Sequence, residues 1–196
     1  MTQKQIHELN DNDRDDIRSF YKSKSYFNKL TLDYTAEDYS KYSQSDQVLL
    51  LGIKTPQSYG IIFQNLFIHN FGLKKVKSGE HKGDFTNGTD HFEYKMSLLN
   101  STNNSINLVQ IRPKQNVNYI IQLFDMRCLK DVQVINFYLS NNQMAEELKK
   151  SGAAHGDKET AEERRIGIIV DSIEYDKWIN NYSISEGDLK AQLGKV

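Results

Sequence analysis

The spacing of apolar residues changes along the chain, and this change limits the folds that the sequence can adopt. Residues 56–71 carry apolar side chains at helical spacing, with Thr55 as the expected N-cap, Pro56 at the first helical position and Gly72 after the last turn. From residue 73 the period becomes two, which is typical of β-strands. Strands are predicted at 73–79, 82–87, 91–99, 106–113, 117–126 and 132–140.

Helical spacing returns after these strands. A helix is predicted at 140–152, with Ser140 or Asn141 as its cap, followed by a strand at 166–171 and two short C-terminal helices. The order predicts a single α/β domain with a central mixed β-sheet flanked by helices, and the hairpin-rich centre argues against an all-parallel sheet. One or two helices are predicted within residues 1–50, where half-buried packing of the many tyrosines is favoured over a surface for a partner or a DNA backbone.

Composition excludes some classes of protein. A net charge of −1 over 196 residues argues against a protein that coats nucleic acid over its whole surface, although a local basic cleft stays compatible with it. The one cysteine, Cys128, lies in an apolar run and is predicted to be a small buried hydrophobe. No secretory signal is recognised and no apolar run reaches about 18 residues, so a cytoplasmic protein without membrane association is expected.

The segment GDFTNGTDHFEYK at 83–95 combines a turn with an alternating strand. In strand 91–99, Glu93 and Lys95 share one face, and apolar side chains occupy the other. The Asn87-Gly88 turn would bring Asp84 of the preceding strand opposite Glu93. Two neighbouring carboxylates repel each other unless a cation lies between them, so oxygen ligands beside a lysine predict a Mg²⁺ site.

Two alternatives to this interpretation stay open. Exposed hairpins often carry Asp, Glu and Lys as solvated charge without any function. If the hairpin register differs, Asp90 would take the role given to Asp84.

The acid-x-Lys pattern by itself is weak, because the chain contains it four times, at 80–82, 93–95, 147–149 and 188–190. The last two fall in predicted helices, where side chains two positions apart point in different directions. The first lies in a loop without a nearby upstream acid. Only the triplet at 93–95 combines strand periodicity with an acid one hairpin earlier.

Gly83-Asp84 followed by Glu93-Tyr94-Lys95, on an amphipathic strand after a helix, resembles the PD-(D/E)xK nuclease superfamily, with glycine in place of proline. The segment LVQIRPKQNVNYIIQLFD also resembles the sheet of its type II restriction endonucleases. The resemblance implies a restriction-endonuclease-like core at 56–171 and Mg²⁺-dependent cleavage of duplex DNA at a specific sequence, leaving 5′-phosphate ends.

Roles for individual residues follow from the site and from the resemblance. Asp84 and Glu93 would bind the metal, and Lys95 would orient or activate the attacking water. Gln64, at a helix position where the family often has an acid, and Gln110 would assist.

Several basic and polar side chains are predicted to contact DNA. Gln110 and Arg112 are expected to share a face of strand 106–113, although Arg112 would serve equally well as a cap of the sheet edge. The loop at 153–165 is long and charged, which is typical of functional loops. The alternative is a solvated loop whose charges form ion pairs with one another. The predicted DNA contacts are Arg112, Lys114, His155, Lys158, Arg164 and Arg165.

A homodimer is expected, because a palindromic site is matched by two-fold symmetry and one catalytic site cuts one strand. The N-terminal helices or the strands at 116–139 are the candidate interfaces. Two other functions stay open: a repair, recombination or mobile-element nuclease of the same fold, and a non-catalytic nucleic-acid-binding or interaction module. The sequence contains no phosphate-binding glycine loop, nucleophile elbow or zinc-ligand spacing.

Overall fold

The computed structural model describes residues 10–12, 14–15, 35–52, 56–77, 82–100, 103–128, 131–151, 153–154 and 163–194. The chain divides into two compact units. The first comprises Met1–Gly72 and Cys128–Gln133, and the second comprises Leu73–Arg127 and Val134–Val196. The helix of the expected 56–171 core therefore belongs to the first unit, and most of its strands belong to the second.

Helices form the described part of the first unit: α1 (Ala36–Ser40), α2 (Gln44–Gly52) and α3 (Pro56–Asn70). Helix α1 begins with a reciprocal capping box between Thr35 and Asp38, and both α1 and α2 pack against α3. Tyr39 and Tyr42 are buried, so these two tyrosines pack more deeply than the half-buried packing that was predicted.

The predicted end of α3 is confirmed. Gly72 adopts φ +57 just after the helix and its N–H donates to the carbonyl oxygen of His69, so the left-handed residue lies where glycine is favoured. The predicted cap Thr55 lies outside the described residues.

The described residues of the second unit form two sheets and three helices. Its helices are α4 (Asn141–Ser151), α5 (Ile173–Tyr182) and α6 (Glu186–Gln192). The strands are β1 (Lys74–Lys75), β2 (Phe85–Thr86), β3 (His91–Leu99), β4 (Ser105–Ile111), β5 (Asn118–Asp125), β6 (Gln133–Leu139), β7 (Ala153–Ala154), β8 (Arg164–Ile169) and β9 (Ser183–Ile184). The larger sheet has the order β1-β2-β3-β5-β6-β9, and the smaller sheet has the order β4-β8-β7.

Parallel pairing of β3 with β5 makes the larger sheet mixed, as predicted. The two strands are in register from Phe92 opposite Asn118 to Leu99 opposite Asp125, whereas β1, β2 and β3 are antiparallel. Strand β4 lies between β3 and β5 in sequence, but it leaves this sheet and pairs antiparallel with β8. The protein is therefore an α/β protein with a mixed central sheet and flanking helices.

One apolar cluster joins the two sheets with helices α4 and α5 of the second unit. The side chains of Tyr119, Ile121 and Leu123 point from β5 into this cluster. Buried residues of the other elements complete it, among them Ile106, Leu108, Ile166, Ile168, Met144 and Trp178. Because β3 and β5 are in parallel register, the face of β3 that carries Glu93 and Lys95 is turned toward the same core.

The buried carboxylate of Glu147 links α4 to α5. It accepts hydrogen bonds from Trp178 Nε1 (3.1 Å), Tyr182 Oη (2.8 Å) and Lys150 Nζ (2.7 Å). Burial acts to raise the pKa of Glu147, but these hydrogen bonds outweigh it and the pKa lies below its ordinary value. Burial and the bond to Glu147 raise the pKa of Tyr182 to about 12.

The prediction that Cys128 is buried is wrong. Strand β5 ends at Asp125, and the N–H of Met126 donates to the carbonyl oxygen of Leu99. The chain then bends at Arg127, whose guanidinium is bound by Asp125 and Asp171, so the thiol that follows is exposed.

Other differences concern short elements. Strands β1 and β2 are shorter than predicted, β8 begins two residues earlier, and β7 and β9 were not predicted. Ser140 is the cap of α4, since it exchanges hydrogen bonds with Gln143. Within the described ranges, no helix has both the length and the apolar character needed to cross a membrane.

We expect Glu147→Gln to lower the free energy of unfolding at pH 7 by about 1–3 kcal/mol, because the charged acceptor of the Trp178 and Tyr182 bonds is lost. The carboxylate has a lower pKa in the folded than in the unfolded chain. Its stabilisation is therefore present above its ordinary pKa of 4.5 and is lost as the pH falls below that value. Urea denaturation between pH 3 and pH 7 should show the difference between wild type and variant shrinking toward acid.

Glu146→Gln is the matched control, because this neighbouring carboxylate is exposed and its ion pair is with exposed Lys149. It should change stability by less than about 0.5 kcal/mol. Equal effects of the two substitutions would contradict the role given to Glu147.

Candidate functional site

Gly83 brings the chain close enough to β3 to place Asp84. It adopts φ +76, and a Cβ at this position would lie 2.4 Å from the carbonyl oxygen of Phe92. The N–H of Asp84 donates to that oxygen (2.7 Å), and the N–H of Tyr94 donates to Asp84 Oδ2 (2.8 Å). The pairing of Phe85 with Phe92 continues this register, so Asp84 lies beside the Glu93–Tyr94 peptide, as predicted.

A proline at position 83, as in the PD-(D/E)xK pattern, does not fit this backbone. Proline fixes φ near −65°, whereas position 83 has φ +76. Glycine is therefore required by the conformation that carries Asp84.

The turn between β2 and β3 fixes the register of the hairpin. Asn87 Oδ1 accepts the N–H groups of Thr89 and Asp90, and Gly88 adopts φ +106. Asp90 is exposed in this turn, while the carboxylate of Asp84 is bound to β3. The geometry therefore favours Asp84 over Asp90 as the first acid.

Glu93 and Lys95 form an ion pair that is largely removed from solvent. Lys95 Nζ donates to Glu93 Oε1 at 2.9 Å, and the two side chains are 15% and 9% exposed, respectively. Two positions further along this face, Ser97 Oγ accepts the N–H of Asn107 (3.1 Å), so β4 covers the strand there. The pair is thus not the solvated surface charge of an exposed hairpin.

The helical acid-x-Lys triplets differ from this pair, as predicted. In α4, Lys149 binds Glu146 and Lys150 binds Glu147, so the lysine of the 147–149 triplet does not bind the acid of its own triplet. In α6, Lys190 binds Glu186 rather than Asp188. Position 80 lies outside the described residues.

Tyr119 is directly aligned with Glu93 across the parallel strands and is buried. Burial raises the pKa of its phenol, the negative charge of Glu93 raises it further, and the positive charge of Arg112 opposes this rise. Arg112 therefore lies near the Glu93 end of the sheet. Its guanidinium donates twice to Glu163 Oε1, at 3.1 and 3.0 Å.

A bulge interrupts β4 before this arginine. The register with β8 shifts between Leu108 and Ile111, and Gln110 is exposed with φ +55. Gln110 and Arg112 are both exposed on either side of buried Ile111, where β4 ends, and the shared strand face predicted for them stays a prediction. A positive φ at a non-glycine residue is a strained conformation of the kind found at functional sites.

The remaining predicted contacts are dispersed. Lys114 is exposed in the loop after β4, and Arg164 is half-buried at the start of β8. Arg165 is exposed opposite Ala153. His155 and Lys158 lie outside the described residues.

Gln64 is half-buried on α3 in the first unit. Its assignment as an assisting residue stays a prediction.

Two features of the site were not predicted from the sequence. Tyr119 becomes a neighbour of Glu93 only through the parallel pairing of β3 with β5, which no local pattern signals. Glu163 binds Arg112 across 51 positions of the chain, and its only sequence signal was its place in a charged loop.

The donor set fits Mg²⁺ better than zinc. Asp84 and Glu93 offer carboxylate oxygens: Asp84 Oδ2 accepts the Tyr94 N–H, and Glu93 Oε1 accepts from Lys95 Nζ. Among these residues no three His, Cys, Asp or Glu side chains form a metal cage. Mg²⁺ is usually bound by one or two carboxylates together with water and phosphate oxygens, whereas structural zinc needs four protein ligands.

Comparison with known proteins gives no assignment. No protein-family model matches the chain, and no curated protein matches it.

We expect Gly83→Ala to destabilise the β2–β3 hairpin by about 1–3 kcal/mol, because an L-residue is strained at φ +76 and the new Cβ would press on the Phe92 carbonyl. Amide hydrogen exchange at Tyr94 should accelerate, since its N–H donates to Asp84. Gly60→Ala is the control, because a Cβ there meets nothing within 4 Å. Unchanged exchange at Tyr94 in Gly83→Ala would contradict this account of how Asp84 is placed.

Proposed function

We propose that the protein is a Mg²⁺-dependent endonuclease that hydrolyses phosphodiester bonds of duplex DNA at a specific sequence. The buried ion pair of Glu93 and Lys95, beside the carboxylate of Asp84, is the observation that carries this proposal. Removing a carboxylate and an ammonium group from water is costly, and apolar residues of similar size are often as stable in their place. A charged pair at this largely buried position is best explained by a catalytic role.

Asp84 and Glu93 would bind the metal ion. When bound, Mg²⁺ neutralises charge on the phosphodiester and lowers the pKa of a bound water. The hydrogen bond from the Tyr94 N–H orients the carboxylate of Asp84, and Lys95 orients that of Glu93.

Lys95 also acts on the reacting groups. Its ammonium group holds the attacking water and donates to the negative charge that develops on the phosphoryl oxygens. Water attacks phosphorus, the bond to the 3′ oxygen breaks, and the products are a 5′-phosphate and a 3′-hydroxyl. Gln110 assists at a neighbouring phosphate, and Gln64 is retained as an assisting residue.

Cations near this end of the sheet position the DNA. Arg112 lies near the Glu93 end, and Lys114 follows it in an exposed loop, so both suit phosphate contacts, which fix orientation without reading sequence. Arg164, Arg165, His155 and Lys158 are proposed as further DNA contacts. The acting form is proposed to be a cytoplasmic homodimer, because cutting both strands needs two catalytic sites.

The test is cleavage of mixed plasmid and phage DNA in Mg²⁺ by the wild type and by Lys95→Ala, with EDTA as a metal control. We expect discrete fragments from the wild type and at least a 100-fold lower rate from Lys95→Ala, since general acid–base groups typically contribute about 10²–10⁴-fold. Lys149→Ala is the matched variant, because it removes a lysine from an exposed ion pair of α4. It should cut like the wild type.

Each other outcome has a distinct meaning. A smear that EDTA and Lys95→Ala abolish would retain the catalytic assignment and point to a repair or recombination nuclease without a fixed sequence. DNA binding without cleavage, equal in wild type and Lys95→Ala, would leave a nucleic-acid-binding module and overturn the proposal.

A further inference from the structure

Amide side chains from three elements meet at the end of the larger sheet. The backbone N–H of Asn141, in the first turn of α4, donates to Asn118 Oδ1 at 3.2 Å. Asn141 Nδ2 donates to Asn116 Oδ1, also at 3.2 Å. We call Asn116, Asn118 and Asn141 the amide surface; it joins the β4–β5 loop, the start of β5 and the start of α4.

The amide surface lies next to the candidate catalytic residues. Asn118 pairs with Phe92 and precedes Tyr119, which is aligned with Glu93. Neighbouring residues of a strand are about 3.8 Å apart and neighbouring strands about 4.8 Å, so the backbones of Asn118 and Glu93 lie within about 10 Å. The amide surface and Glu93 therefore lie at the same end of the larger sheet.

Hydrogen-bonding groups of the amide surface remain available. Within the described residues, the Nδ2 groups of Asn116 and Asn118 and the Oδ1 of Asn141 make no hydrogen bond. Asn116 and Asn118 each have a donor in this NH₂ group, and each Oδ1, which accepts one hydrogen bond from Asn141, has a second lone pair for another. In the same loop, Gln115 is buried with its Oε1 unpartnered, which is unusual for a buried amide and indicates an acceptor that a water or a ligand would satisfy.

The positive charges near the amide surface favour binding of a nucleic acid. The first turn of α4 contains no acidic residue, and its N-terminus carries the positive end of the helix dipole. Arg112 and Lys114 lie in the same loop as Asn116 and supply cations for phosphates. In DNA-binding proteins, cations contact the phosphate backbone and neutral amides read the edges of the bases. The loop with Arg112, Lys114 and Asn116 offers both kinds of group.

We propose that the amide surface reads adenine in the major groove of the DNA substrate. A carboxamide that donates to N7 and accepts from the N6 amino group matches adenine and no other base in that groove. This inference rests on the proposed nuclease function and adds to it the segment that selects the sequence. It makes A·T pairs part of the recognition site.

The test compares sequence preference in the wild type, Asn116→Ala, Asn118→Ala and the control Asn181→Ala. Asn181 is an exposed amide on α5 and lies outside the amide surface. Each protein first selects duplexes by binding from a random-sequence pool in Ca²⁺. Cleavage in Mg²⁺ is then measured on the selected site and on copies with single A·T pairs changed to G·C. Thermal melting checks that each variant folds.

We expect the wild type and Asn181→Ala to require at least one A·T pair. Asn116→Ala or Asn118→Ala should reduce discrimination at that pair by about ten-fold or more, since a bidentate contact contributes about 1–3 kcal/mol to base selection. A folded Asn116→Ala and Asn118→Ala that both keep the wild-type preference would overturn the inference and leave the nuclease intact. A wild-type site without any required A·T pair would do the same.

Failure of the proposed function gives a different pattern. Selection of an A·T-containing site without cleavage would remove the nuclease assignment, and loss of that selection in the amide variants would still support the inference. Neither selection nor cleavage by the wild type would overturn both.

Discussion

The parallel pairing of β3 with β5 is the interaction on which the candidate site depends. It places Glu93, Lys95 and Ser97 in line with Tyr119, Ile121 and Leu123, whose side chains point into the core. The charged face of β3 is thereby drawn away from water, although its sequence pattern alone is that of a solvated strand face. The ion pair offsets part of the desolvation cost that this placement imposes.

The contact between the Gly83–Asp84 segment and β3 positions the second carboxylate of the site, that of Asp84. Gly83 permits a backbone conformation that proline does not, so a position that departs from the family pattern still delivers Asp84 to the Glu93–Tyr94 peptide. Glu93 thus lies on β3 and Asp84 directly before β2, and backbone hydrogen bonds hold the two segments together. Sites held in this way are more precisely positioned than sites on loops, which suits a reaction that depends on metal geometry.

Sequence patterns predicted those parts of the fold that depend on local spacing. The bounds of β3 coincide with the predicted strand at 91–99, and the helical acid-x-Lys triplets were separated correctly from Glu93-Tyr94-Lys95. The departure of β4 to a second sheet, the bulge at Gln110 and the exposure of Cys128 depend on distant partners such as β8 and Asp171. Alternation along one strand contains no information about these long-range contacts.

Binding of Mn²⁺, a paramagnetic substitute for Mg²⁺, tests the central claim most directly. Electron paramagnetic resonance would follow free Mn²⁺ during titration of the wild type, of Asp84→Asn with Glu93→Gln, and of the exposed control Glu146→Gln, each with duplex DNA. We predict a bound ion in the wild type and the control, and its loss in the double variant. Equal Mn²⁺ binding by the double variant and the wild type would contradict the assignment of Asp84 and Glu93 as the metal site.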